Sequence, residues 1–561
     1  MTYELKSVNL PRLTGAGLKI FTALVENPAT AALLMGNLME TGGINKFRKL
    51  KVNEPPTVYP LVQSDSRGTA TPLDLEAIAQ TDSPTRSAGF RFATVNDYAT
   101  AYRLGSATPE GVAGRVIDAI KDSDSGPNPL RAFIAVNPDD VLRQARDSGE
   151  RIKAGKSLSI IDGVPVAIKD EVDMVPYPTT VGTKFLGGAP ARIDSTVVAR
   201  LRAAGALLVG KANMHEIGIN PVGFNAHYGV TRNPYDPRRY PGGSSSGSAA
   251  AVAAGLCPVA IGADGGGSIR IPAALCGIVG LKATFGRVSE LGAAPLTWTM
   301  GHLGPLAATV ADAALAYAII AGPDSNDATT LVQPPVTLDG FGKTDLRGLT
   351  FGVFRPWLDH ATPEIVSACN AALKTLESLG ATIREIEIPE LDSMRIAHAV
   401  TILSEMASAL EQHRAAHNSD HGLDVRINLA IGRACTSRDY VQAQRVRTRA
   451  MAHFANALKE VNAIVTPSTA ITAPPIRSDV LPDGESDLNT VTELMRFVIP
   501  GNLVGLPGIS VPVGYDSNGL PIGLQVMGAH WSEGLLLRVA QAIEGTIERK
   551  KPEVHYNILE K

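Results

Sequence analysis

The stretch from Tyr240 to Gly286, YPGGSSSGSAAAVAAGLCPVAIGADGGGSIRIPAALCGIVGLKATFG, constrains this chain more than any other. It holds two Gly/Ser clusters, Gly242-Gly243-Ser244-Ser245-Ser246-Gly247 and Asp264-Gly265-Gly266-Gly267-Ser268. Between them lies an Ala/Val-rich segment that reads as a helix and then a strand. Consecutive glycines cost backbone entropy, so a run of three needs a compensating role. An oxyanion hole is one such role. Without Cβ atoms, successive N–H groups can turn toward one point and meet the negative oxygen of a tetrahedral intermediate. A serine directly after the loop, Ser268, is then well placed as a nucleophile. An anion nest or a tight turn would account for a lone glycine loop; two Ser/Gly clusters joined by a helix–strand unit favour catalysis.

A serine nucleophile needs a base. None of the 11 histidines lies in this stretch. The alternative is a lysine kept neutral by burial, because removal from water disfavours the ammonium. Lys169 follows the apolar run Val164-Pro165-Val166-Ala167-Ile168 and is expected at a strand end. A surface lysine paired with Asp170 or Glu171 fits the same residues, and the sequence does not separate the two.

Three look-alike motifs carry less. Gly243–Gly247 satisfies GxSxG with Ser245 as nucleophile, but that elbow requires a preceding strand, and NPYDPRRYPGG is turn-rich. Gly205–Lys211, GALLVGK, approaches a phosphate loop, yet Ala212 stands where Ser or Thr should hold magnesium and its middle is apolar. His215-Glu216 lacks the second histidine of HExxH, and no metal-ligand constellation or cofactor motif is evident.

Along the rest of the chain, strands and helices alternate from about residue 93. Thr108-Pro109-Glu110 starts a helix, Phe133–Val136 is a strand, and Asp139–Lys153 a helix. Ser195–Ala204 is helical, stopped by Gly205, and Ala206–Val209 is a strand. Thr362-Pro363-Glu364 opens a further helix, followed by a strand near Thr382–Ile388. Residues 392–460 read as mostly helical. Ala463–Thr466, Ile509–Gly514 and Ile522–Met527 read as strands, and a helix closes the chain. This order indicates an α/β layered fold with a mixed sheet.

Taken together, Asp162–Asp170 (DGVPVAIKD), Gly242–Gly247 and Gly265–Pro272 resemble the three parts of the amidase signature, in order and spacing. The resemblance implies a central twisted mixed sheet covered by helices on both faces. It also implies roles: Lys169 as general base, Ser244 as a bridging serine preceded by a cis peptide, and Ser268 as the acyl-forming nucleophile. Gly265, Gly266, Gly267 and Ser268 would supply the oxyanion hole, with Ser245, Asp264 and Arg270 in support and no cofactor. Further segments, RRYPGGSSSGSAA, GKANMHE and NLVGLPGISVPVGYDSNGLPIGLQVMG, are similar to plant-type fatty acid amide hydrolases. That similarity implies lipid amides such as N-acylethanolamines as substrates, and a homodimer. A general or aryl-amide amidase is the alternative within the family, as is a member of a glutaminyl amidotransferase complex. An inactive scaffold member is the alternative outside catalysis, and the intact Lys169, Ser244 and Ser268 count against it.

Residues 1–92 read as a helical extension and linker ahead of a catalytic domain spanning 93–561. Leu13, Leu18, Phe21, Leu24 and Val25 form one apolar face, broken at Asn27-Pro28; Leu33, Leu34, Leu38 and Met39 form a second, ended by Gly42-Gly43. A basic run of Lys46, Arg48, Lys49 and Lys51 follows. This hairpin is expected either to pack on its own globule or a partner subunit, or to touch a membrane surface. Val62–Ala88, rich in Ser, Thr, Asp and Pro, reads as an irregular arm.

A net charge of −3 gives no electrostatic footprint for nucleic acid. Cys257, Cys276, Cys369 and Cys435 form no disulfide or CxxC framework. MTYELKSVNL lacks a signal-peptide core and no run of about 18 apolar residues occurs, so an intracellular address is expected, cytoplasmic or peripheral on a membrane.

Overall fold

Apolar runs bounded by Gly and Pro become the strands of one large sheet in the computed structural model, which describes residues 3–5, 10–64, 73–81 and 89–560. Eleven strands form it: β1 (Phe133–Val136), β2 (Pro165–Lys169), β3 (Leu207–Ala212), β4 (Val259–Ala263), β5 (Val279–Lys282), β6 (Leu303–Ala307), β7 (Thr350–Val353), β8 (Thr382–Glu385), β9 (Ala463–Pro467), β10 (Gly508–Tyr515) and β11 (Pro521–Gly528). Their order across the sheet is β1-β3-β2-β4-β6-β5-β10-β11-β9-β7-β8. β3, β2 and β4 run parallel, as do β9, β7 and β8, while the pairs between these groups are antiparallel. Every residue of β2, β3, β4, β5 and β6 is buried, the pattern of strands covered on both faces.

Helix boundaries follow their caps. Pro109–Ser123 starts at Thr108, whose side chain accepts from Gly111 N, and Pro138–Lys153 starts at Asn137. Thr196–Ala203 stops before Gly205, which takes φ +93. Long helices fill residues 391–460: Leu391–Ala409, Leu423–Ala434 and Ser437–Glu460.

Some expectations shift. The strand at Ala206–Val209 runs on to Ala212, because β2 pairs with it from Leu207 to Ala212 and β1 with Gly210, Lys211 and Ala212. Within the expected irregular arm, Asp74 caps a short helix, Leu75–Ala79, while residues 65–72 and 82–88 lie outside the described residues. The closing helix, Glu533–Glu544, does not end the chain; Val554 N donates to Pro234 O and Tyr556 N to Ala254 O.

The N-terminal pair packs on its own globule by one face. Leu18, Thr22 and Val25 of Gly15–Glu26 are buried one helical turn apart, a burial worth about 1.5–3 kcal/mol per large apolar side chain. Glu26 accepts from Arg426 Nε at 2.9 Å and from Asn418 at 2.8 Å. The chain bends by 105° into Pro28–Thr41, where Asn27 accepts from Ala29 N. Ile44 and Phe47 then join Met394 and Ile396 in the core. Leu24, read as part of the apolar face, is instead exposed, with Ile20 and Leu33. Among the described residues, no single helix is long and apolar enough to cross a membrane.

Candidate active site

Two parallel neighbours, β2 and β4, end at the same edge of the sheet, paired through Val166–Val259, Ala167–Ala260 and Ile168–Ile261. β2 delivers Lys169 as its last residue; β4 leads straight into Asp264-Gly265-Gly266-Gly267-Ser268. The first Ser/Gly cluster precedes the helix Ser246–Ala253, whose chain continues into β4. Both serine clusters and the lysine thus meet at one place, although 75 residues separate Lys169 from Ser244.

Lys169 is no surface lysine. It is 1 % exposed, and its Nζ lies 2.8 Å from Ser244 Oγ, 3.0 Å from Glu171 Oε2 and 3.4 Å from the Ala263 carbonyl. Burial depresses its pKa below the ordinary lysine value, against the pull of the Glu171 carboxylate and, more weakly, Asp264. Asp170, the other candidate partner, faces Lys211 and accepts from the Thr180 hydroxyl and Gly182 N. The peptide before Ser244 is cis, as the family resemblance implies. Ser245 Oγ donates to Ala263 O at 3.1 Å and accepts from Ala263 N at 3.2 Å, tying the first cluster to the end of β4.

The glycine loop is held from behind by a buried ion pair. Asp264 accepts from Gly267 N at 2.6 Å and Ile269 N at 3.1 Å, and Arg270 reaches both of its oxygens at 3.1 Å. Asn502 donates to the Asp264 carboxylate at 2.9 Å and to its carbonyl at 2.8 Å. Burial alone would raise the Asp264 pKa; the Arg270 charge and hydrogen bonds outweigh it and hold the carboxyl well below the usual range. Gly267 takes φ +111, and a Cβ there would stand 2.4 Å from Val498 Cγ2, so the position demands glycine.

In front of the loop opens a cavity of about 320 Å³. Lys169, Ser244, Gly265, Gly266 and Ser268 line one end; Ser268 is 9 % exposed. Ile402, Met406, Leu488, Val491, Met495 and Ile499 make the remainder largely apolar. Among the lining residues that the sequence did not signal, three stand out. His398 Nε2 lies 2.8 Å from Gly265 O, Leu5 reaches the wall from the N-terminal extension, and Glu290 faces the cavity as an acid. A histidine at residue 398, in a helix without a motif, carries no signal of this role.

The remaining motifs are accounted for structurally. GALLVGK is the buried β3 with its preceding turn. His215 Nε2 pairs with Asp424 at 2.9 Å, and Glu216 with His421 Nδ1 at 2.7 Å. Among the described residues, no group of three or more His, Cys, Asp or Glu is placed to hold a metal ion.

Known proteins resemble this chain in sequence and in fold. Residues 116–537 match the amidase family. The fatty acid amide hydrolase of Arabidopsis thaliana is 41% identical over 99% of this chain and 96% of its own length. The fatty acid amide hydrolase of Medicago truncatula is 40% identical, again over 99% of this chain and 96% of its own length. Among solved structures, the peptide amidase of Stenotrophomonas maltophilia superposes with a TM-score of 0.70 at 30% identity, covering 85% of this chain and 100% of its own. The chain belongs to the amidase signature family and is an enzyme that hydrolyses amide bonds.

Proposed function

We propose that this enzyme cleaves fatty acid amides, such as N-acylethanolamines, to fatty acid and amine through an acyl-enzyme on Ser268. The observation that carries the reading is the setting of Lys169: buried, depressed in pKa, and 2.8 Å from Ser244 in a cavity shared with Ser268. A neutral amine has two N–H donors and one lone pair. Glu171 Oε2 and Ala263 O can only accept, so they engage the two donors and leave the lone pair to the Ser244 hydroxyl. Lys169 draws that proton while Ser244 takes one from Ser268, whose Oγ attacks the amide carbon. The oxyanion forms against the N–H groups of Gly265, Gly266 and Ser268; the Gly267 N–H, expected among them, is already given to the Asp264 carboxylate. Ser244 returns a proton to the leaving amine, which departs poorly as an anion. Water then hydrolyses the ester.

The apolar wall supports a long acyl chain, and the likeness to the plant enzymes over nearly the whole chain, extension included, supports the lipid substrate. Exposed Ile20, Leu24 and Leu33 support a lipid-facing role for residues 13–51, testable by sedimentation with anionic vesicles. The test of substrate is turnover of oleoylethanolamide beside a short aryl amide, with Ser268→Ala as control. Preference for the lipid amide is expected. Preference for the short amide would leave the serine chemistry intact and sink the lipid role.

A further inference from the structure

The triple-glycine loop has little stiffness of its own, so each peptide that aims at the reaction centre must be held from outside. Asp264 holds the N–H of Gly267 and of Ile269, and Asn502 holds the Asp264 carbonyl. None of these contacts reaches the Gly265–Gly266 peptide. That peptide is held by His398, from the helix Leu391–Ala409, whose Nε2 lies 2.8 Å from Gly265 O.

We propose that His398 is a positioning residue for the oxyanion-binding loop: its imidazole N–H fixes the Gly265 carbonyl and so sets the direction of the Gly266 N–H beside Ser268. The inference rests on the reading of Ser268 as nucleophile. A trans peptide is planar, with C=O and N–H pointing oppositely, so pinning one pins the other. A carbonyl that accepts a hydrogen bond also makes the N–H of the same peptide a stronger donor.

Three further observations support the assignment. His398 is 2 % exposed, and its ring lies against Gly266 so closely that a Cβ on that glycine would stand 2.8 Å from Cε1 and 2.9 Å from Nε2. The loop and the ring therefore fit only as glycine against imidazole. Second, a carbonyl can only accept, so Nε2 carries the proton. Burial holds the ring's pKa down at about 4, which keeps that single tautomer neutral through the working pH range. Third, the ring meets the loop through its Nε2–H donor and not through its basic nitrogen, Nδ1, so its contribution runs through the loop.

The test compares His398→Gln, His398→Asn and His398→Ala, using a fatty acyl p-nitroanilide as substrate. Inhibition is measured with a trifluoromethyl ketone, whose adduct carries an oxyanion, and with the product fatty acid, which does not. Removing an oxyanion-hole donor outright costs about 10²–10³ in kcat. Misaiming one is expected to lower kcat by roughly 10–100-fold in His398→Ala and His398→Asn, with KM and fatty acid affinity unchanged. Trifluoromethyl ketone affinity should fall by the same factor as kcat. Glutamine, long enough for its amide N–H to reach Gly265 O, should recover most of the loss. Equal activity of the Gln and Asn variants overturns the proposal, as does a kcat loss without weaker ketone binding. Ser268→Ala separates the two readings. If it still turns over, the nucleophile is misassigned; if it is dead while His398→Asn stays fully active, positioning by His398 alone is wrong.

Discussion

Glu171 Oε2 stands 3.0 Å from Lys169 Nζ, so the residue that best stabilises a lysine ammonium sits beside the one required to be neutral. Burial lowers the Lys169 pKa and Glu171 raises it, with burial the larger effect. Because the neutral amine is the active form, kcat/KM is expected to rise with pH along its acid limb. Glu171→Gln removes the opposing charge, so the Lys169 pKa falls further and the acid limb moves to lower pH. A limb that stays in place, or moves up, would contradict Lys169 as the base.

Loss of the base itself should be severe. Positioned general bases contribute about 10²–10⁴ in rate. Lys169→Met keeps the stem in its buried slot and removes the amine. Its kcat is expected to drop by about that factor, and the rise of the residual rate with pH should vanish. Acylation by a fluorophosphonate, followed in a stopped assay, reads the same step without the leaving amine.

Arg270 is wholly buried against Asp264, with Val498 O, Gln525 Oε1 and Asn502 Oδ1 as its other partners. Breaking a buried pair from one side strands the remaining charge, at a cost of about 3–5 kcal/mol. Arg270→Met should therefore lower the urea midpoint sharply and abolish activity together. The double variant Arg270→Met/Asp264→Asn should regain part of the stability but not the activity, because Asp264 also holds Gly267 N and Ile269 N. Urea denaturation of the two proteins side by side checks both statements.

The stretch richest in sequence signal is also the stretch in which sequence neighbours become spatial neighbours. Ser245 binds the end of β4 and Asp264 grips its own loop, so local spacing encodes contact. Strands such as β2 and β10 were legible because each is a buried apolar run bounded on one side by glycine, Val164–Ile168 after Gly163 and Ile509–Val513 before Gly514. β5, β6 and β7 were not, since Val279–Lys282, Leu303–Ala307 and Thr350–Val353 are so short that the glycine inside each leaves no run of branched residues. Sheet order was illegible for a different reason. β5 pairs with β10, more than 200 residues onward, and no local pattern encodes that. His398 and Asn502 reach the loop across 133 and 238 residues, and each looks like any polar residue of an ordinary helix. For Lys169 the alternatives of buried base and surface cation differed only in tertiary burial, which the structure supplies.

Gly267 offers a sharper probe of the loop than any polar residue. Its φ of +111 is strained for alanine, and the added Cβ would meet Val498 Cγ2 at 2.4 Å and Ile271 Cδ1 at 2.7 Å. Gly267→Ala is expected to lose at least about 10²-fold in kcat, the scale of an oxyanion-hole donor. Pairing it with Val498→Ala removes the nearest contact but neither the one with Ile271 Cδ1 nor the backbone strain, so activity should stay low. Full recovery in that pair would show that crowding alone, and not loop conformation, was responsible.

Glu290 faces the cavity, with its carboxyl lying over Gly301, where a Cβ would come within 2.6 Å of Oε1. Burial, reinforced by Asp327, Glu171 and Glu405, pushes its pKa up to about 8 from an ordinary 4.5. The folded protein thus holds a proton that the unfolded chain releases between these values. Stability from this group is fully present below pH 4.5 and falls as pH rises toward 8, above which the loss is complete. Glu290→Gln removes the titration. The difference in urea midpoint between wild type and variant should therefore drift against wild type from about pH 5 to 8 and then level off. Buried acids shared by both proteins, Asp312 among them, cancel in that difference. A difference flat across the whole range would mean that Glu290 is ionised in the cavity already at about pH 5.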